Sequence, residues 1–222
     1  MAAMSSDVRW RLPHGVAVAF STRTDGDVRD PLRRQAWLAG LGVTQTSVVV
    51  RQLHGSRVVT AVPGPAAPAD GLTTTRQGPP LVVFGADCPG LCLAAPDALG
   101  VAHCGWRGVA GGIVATLIES LAAHTRHPRS TWQAFIGPGV HPDDYEVDDP
   151  VLRARTWPAV ALRPARPERA WLDLPAAIEA DLADAGVTTV MRAALSTSRD
   201  ERLWSYRKHG EGVVQGLAAW WE

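Results

Sequence analysis

Cysteine is scarce in this chain: three in 222 residues, Cys88, Cys92 and Cys104. An odd count this small is no disulfide framework, and it suits a reducing compartment such as the cytoplasm. Net charge is missing too. Lys and Arg total 22, as do Asp and Glu, so no global field draws the chain to nucleic acid or to an anionic membrane. Any anion it binds must be held locally, by arginines or backbone N–H groups. No apolar run approaches the roughly eighteen residues of a membrane span. The opening stretch, MAAMSSDVRWRLP, lacks the apolar segment of a signal peptide. There is no internal repeat and no low-complexity tail. There is also no C-x-x-C pair and no H-E-x-x-H helix.

What is present is ordinary for a globular protein: 46% apolar and 20% charged residues. The length predicts a single domain spanning residues 1–222 with a sizeable core. Valine-rich runs bounded by turn residues predict strands over Val16–Phe20, 47–53 and 57–62. The fully apolar runs Leu81–Gly85, 91–95 and 100–104 predict strands buried on both faces. Further strands are predicted over 132–136, 188–193 and 213–221. Asp30-Pro31 opens a helix that ends near Gly40. A second helix runs through 108–125, with Ile113, Leu117, Ile118 and Leu121 inward. A third is capped by Asp173, buries Leu174, Ile178 and Leu182, and ends at Gly186. The stretch PGPAAPADGL reads as a surface loop. Strands outnumber helices without regular alternation. That predicts an α+β fold with a mixed β-sheet core, a layered sandwich flanked by helices.

Three short segments combine a metal-capable side chain, a turn-forming neighbour and a strand end. They are Gln52-Leu53-His54-Gly55, Ala86-Asp87-Cys88-Pro89 and Ala102-His103-Cys104-Gly105-Trp106-Arg107-Gly108. Two imidazoles and a thiolate suit zinc, and three protein ligands leave a tetrahedral position open, as catalytic zinc requires. Two other readings share these residues. Cys88 and Cys104 can be small buried hydrophobes, or Cys88 and His103 can form a metal-free nucleophile–base pair.

The ordered blocks LHGSRVV, FGADCPGLCLA, VAHCGWRGVAGGI, FIGPGVHPDDYEV and WSYRKHG resemble those of the multicopper polyphenol oxidoreductase family, the laccase-domain or YfiH family. The resemblance covers nearly the whole chain. It implies metal ligands at His54, Cys88 and His103. It also implies a zinc-dependent purine nucleoside phosphorylase acting on nucleoside and phosphate, which also deaminates adenosine and cleaves S-methyl-5'-thioadenosine. The chain departs from the family pattern at Asp25-Gly26-Asp27-Val28, at Gly139 in place of a cysteine, and at Gly210-Glu211-Gly212-Val213, where an arginine is missing.

Within that frame Arg23, Arg107 and Arg207 are candidate phosphate ligands, because a guanidinium pairs with phosphate through a planar fork. Each is also readable as a solvated or packing arginine. Asp87 is a candidate for orienting a ligand histidine or shuttling a proton, or is a structural carboxylate. Trp106 is a candidate for stacking on a base, or is packing. Cys92 and Cys104 read as core, and His141 is the remaining histidine of interest. Two alternative activities attach to the family. A copper-dependent polyphenol oxidase needs histidines clustered in ligand pairs, whereas the seven here are scattered. A metal-free Cys–His hydrolase of peptidoglycan precursors would use Cys88 and His103.

Overall fold

The computed structural model describes residues 8–210 and 212–222. The departure at residue 211 lies outside them. Alternation along the strands sorts side chains into layers, because successive residues of a strand face opposite sides of its sheet. In strand Val16–Phe20, Val16, Val18 and Phe20 face one core while Ala17 and Ala19 face another. In strand Gly90–Ala94, Cys92 and Ala94 face the first core while Leu91 and Leu93 face a third.

Two large mixed sheets follow. The five-stranded one runs Arg9–Leu12, Val16–Phe20, Gln215–Trp221, Leu81–Gly85, Val48–Val49. The six-stranded one runs Thr189–Arg192, Gln133–Ile136, Gly90–Ala94, Ala98–His103, Gly71–Thr75, Val58–Thr60. Between them lies a core of Phe20, Val83 and Leu217 against Leu72, Leu99, Val101 and Phe135. Full burial of each such side chain contributes about 1.5–3 kcal/mol. Helix Pro31–Gly40 covers the outer face of the first sheet with Trp37 and Leu38. Helices Ile113–Ala122 and Leu174–Asp184 cover the outer face of the second. A three-stranded sheet, Glu146–Val147, Ala170–Leu172, Leu162–Pro164, stands beside this layer. The predicted α+β layered sandwich is the observed architecture.

Three local readings are corrected. The strand predicted over 47–53 is only Val48–Val49, followed by an isolated bridge at Arg51. The amides of Leu53, His54 and Gly55 bond a side chain instead of a ladder. The helix predicted over 108–125 is two, Trp106–Ala110 and Ile113–Ala122. They are split because Gly112 takes φ 85°, a left-handed conformation that ends a helix. The loop predicted through Leu72 ends earlier, since Gly71–Thr75 is a buried strand rich in β-branched threonine.

Candidate metal centre

Register brings the first two candidate ligands together. Gly90 pairs with His103 at the end of strand Ala98–His103, and Cys88 lies two residues before Gly90. The Cys104 amide donates to Pro89 O at 2.9 Å, fixing the two strand ends. The turn into Cys88 is tight. Asp87 adopts φ 89°, and a Cβ on Gly85 would sit 2.4 Å from Cys88 O. At the departure site Gly139, a Cβ would lie 3.1 Å from Asp87 O. Glycine there lets the 139 backbone close on this turn.

The third candidate ligand arrives by a side chain. Asp70 ends the loop before strand Gly71–Thr75, and Gly71 pairs with Ala102, so Asp70 is the neighbour of His103. His103 N donates to Asp70 O at 2.8 Å. His103 Nδ1–H donates to Asp70 Oδ1 at 3.0 Å. The same carboxylate accepts from Leu53 N at 3.1 Å, His54 N at 2.9 Å and Gly55 N at 2.8 Å. His54, at φ 59°, is thereby turned toward His103, and the two rings meet edge to face with centroids 4.8 Å apart.

The ligand atoms of His54, Cys88 and His103 all lie within 4.8 Å of one another. Among the described residues this is the one group of three or more His, Cys, Asp or Glu so placed. Gly105 borders the space they share. A Cβ there would lie 3.1 Å from Cys88 Sγ and 3.4 Å from carbons of both His103 and His54. His103 is buried, Cys88 half-buried and His54 exposed, so one side of the cluster is open to solvent. Two imidazoles, a thiol and an open side fit a metal ion with a free coordination position.

Burial works against charge on His103, but hydrogen bonds to Asp70 and Cys88 override it and raise its pKa to about 9. A cation must displace that proton. His54 is lowered by burial and by the charges of His103 and Arg107, against the pull of Asp70. Burial would raise Asp70, yet its bonds to His103 and the amides hold it below the usual carboxylate range.

The remaining candidates are placed as follows. Asp87 faces away from both ligand histidines. It accepts from Thr197 Oγ1 at 2.6 Å and from Arg207 N at 2.7 Å, and it is Asp70 that binds His103. Exposed Arg107 lies over the Trp106 ring at 4.2 Å, and exposed Arg207 over the Tyr145 ring at 4.8 Å. Arg23 lies over Trp204 at 4.5 Å and bonds Leu203 O and the His209 ring. Its contacts are with the segment leading to Arg207 rather than with the cluster. Trp106 is half-buried against the helix-side core. Cys92 and Cys104 are fully buried core. His141 belongs to a surface network with Asp143 and Arg199. Sequence reading passed over Asp70, Gly105 and Tyr145. Tyr145 is a buried phenol raised by burial and by the nearby Cys88 and Asp87, with Arg207 and Arg107 opposing.

A family model described as multi-copper polyphenol oxidoreductase laccase matches residues 20–220. The chain belongs to this family. It is 34% identical over 218 residues to purine nucleoside phosphorylase YlmD of Geobacillus stearothermophilus, covering 87% of this chain and 77% of that one. It is 35% identical over 181 residues to purine nucleoside phosphorylase ORF3 of Streptomyces griseus, covering 76% and 72%. The match to purine nucleoside phosphorylase RC0672 of Rickettsia conorii spans 66% of that relative's length at 30% identity. The crystal structure of YlmD from Geobacillus stearothermophilus superposes with a TM-score of 0.88 at 25% identity, covering 99% of this chain and 98% of that one. No helix among the described residues is long and apolar enough to cross a membrane.

Proposed function

We propose that this chain is a zinc-dependent purine nucleoside phosphorylase of the cytoplasm, one catalytic domain acting on nucleoside and phosphate. His54, Cys88 and His103 hold the metal. The same site extends to adenosine deamination and to cleavage of S-methyl-5'-thioadenosine. One observation carries the reading: the three ligand atoms lie within 4.8 Å of one another. Relatives named purine nucleoside phosphorylase supply the substrate class.

In phosphorolysis a phosphate oxygen bonds C1′ of the ribose while the C1′–N9 bond breaks, and the purine leaves with the electron pair and takes a proton. Positive charge develops on the sugar, as in glycoside cleavage. Arg107 and Arg207 orient the phosphate, their planar groups steadied by Trp106 and Tyr145. Arg23 supports the phosphate side through the 203–209 segment it binds. Asp87, accepting from the Arg207 amide, sets where Arg207 stands. Trp106 offers a face for the base. Zinc, when bound, supplies Lewis-acid stabilisation of developing negative charge at neutral pH. Deamination differs in adding water at C6 of the purine and releasing ammonia.

The test incubates purified, zinc-loaded protein with inosine, adenosine or S-methyl-5'-thioadenosine, with and without phosphate. Free base should form only with phosphate, and inosine should form from adenosine. His54→Ala, Cys88→Ala and His103→Ala should each abolish base release without unfolding the protein. A zinc-loaded protein that releases no base and no inosine would overturn the reading. The closeness of His103 and Cys88, whose ligand atoms lie within 4.8 Å of each other, favours one second reading, the metal-free Cys–His hydrolase of peptidoglycan precursors. Full activity after zinc removal, lost on alkylation of Cys88, would decide for it.

A further inference from the structure

We propose that Asp70 is the positioning residue of this centre, a single buried carboxylate that presets two of the three ligands. The inference rests on the metal reading above and deepens it. Asp70 is 1% exposed, and its two oxygens receive four donors from two separate chain segments. Three of those donors are the consecutive amides of residues 53–55. They would otherwise lack ladder partners, because the strand stops at Val49. The fourth is His103 Nδ1–H.

Each bond has a separate consequence. Occupying Nδ1 of His103 leaves Nε2 as the ring atom available to a cation, so one carboxylate selects tautomer and ring orientation together. Gripping the 53–55 amides holds His54 at φ 59°, a backbone conformation uncommon outside glycine that persists only when its surroundings enforce it. Both constraints meet on one side chain, so the spacing of the two imidazoles is set before any cation arrives. Cys88 receives nothing from Asp70. Its turn is held by the close approaches at Gly85 and Gly139.

Asparagine in place of Asp70 keeps the volume but presents an NH2 group to donors. Partners of this kind alter metal affinity by about 10- to 100-fold. The experiment compares zinc affinity, by chelator competition, for wild-type protein, Asp70→Asn and Asp173→Ala. The last removes the N-cap of helix Leu174–Asp184 and serves as a control for general destabilisation. Cobalt(II)-loaded samples report ligand geometry through their visible bands. The expected result is zinc affinity at least about tenfold weaker and altered cobalt bands in Asp70→Asn, with neither change in Asp173→Ala. Should Asp70→Asn not fold, Leu53→Pro deletes one of the three amide donors and should weaken zinc binding in the same direction. Wild-type protein that binds no zinc would overturn the metal reading itself. Wild-type protein that binds zinc, with Asp70→Asn or Leu53→Pro binding it equally well, would overturn the role of Asp70 alone.

Discussion

The imidazole half of the centre and its thiol half are held in different ways. His54 and His103 come from a loop and a strand end cross-linked by Asp70. Cys88 rides on a turn at φ 89° for Asp87, squeezed between Gly85 and Gly139, and the Asp87 carboxylate reaches across to Thr197 and Arg207. The first half is closed on itself. The second is wired to the segment that carries Arg207. Ligand spacing should therefore depend on the first arrangement, and placement of the arginine on the second.

The comparison breaks most sharply at Gly105, which touches both halves. Gly105→Ala puts a methyl 3.1 Å from Cys88 Sγ and 3.4 Å from both imidazoles. Zinc affinity should fall about tenfold or more, with the fold retained, because displaced ligands cost metal affinity on that scale. Unchanged affinity, read by chelator competition, would mean that the space beside Gly105 is not where the cation sits.

Asp87→Asn sharpens the contrast with Asp70. It weakens two bonds to a buried carboxylate, and a charged hydrogen bond of this kind is worth about 1.5–3 kcal/mol. Zinc content should stay at the wild-type level, while the KM for phosphate rises about tenfold as Arg207 shifts, equivalent to about 1.4 kcal/mol. Zinc loss with an unchanged phosphate KM, from metal analysis and steady-state kinetics, would reverse the assignment of the two carboxylates.

The smallest effect is one of pH on metal-free protein. His103 rises from 6.5 to about 9 on folding. A group raised on folding contributes stability fully below its unfolded value, and loses that contribution as pH climbs through its folded value. The Tm of metal-free protein should therefore decline between pH 6.5 and about 9, and this slope should vanish in His103→Asn. A flat wild-type profile across that window would show that Asp70 and Cys88 do not hold the proton on His103.

These two halves were unequally legible in the sequence. Strand Leu81–Gly85 and the strand bearing His103 are apolar runs with one plausible conformation, so the positions of Cys88 and His103 at strand ends could be read directly. The same holds for helices Pro31–Gly40 and Leu174–Asp184, whose Asp caps and terminal glycines mark their limits. The His54 loop was hidden. Its valine-rich approach favours an extended strand, and only a carboxylate fifteen to seventeen residues away diverts its amides. Asp70 itself sits in a Pro/Gly/Ala stretch where an aspartate looks solvated. Its one local signal is the β-branched run that follows, Thr73 to Thr75. For Asp87 the sequence left a histidine partner and a structural role both open, and its carboxylate bonds Thr197 and the Arg207 amide.

The central claim is that two imidazoles and one thiolate grip a single cation. Zinc K-edge absorption on the zinc-loaded protein tests it most directly. The account predicts an inner shell with two nitrogen scatterers at about 2.0–2.1 Å, one sulfur at about 2.3 Å and a light exchangeable fourth atom. A shell without sulfur, or with sulfur retained in Cys88→Ala, would contradict it.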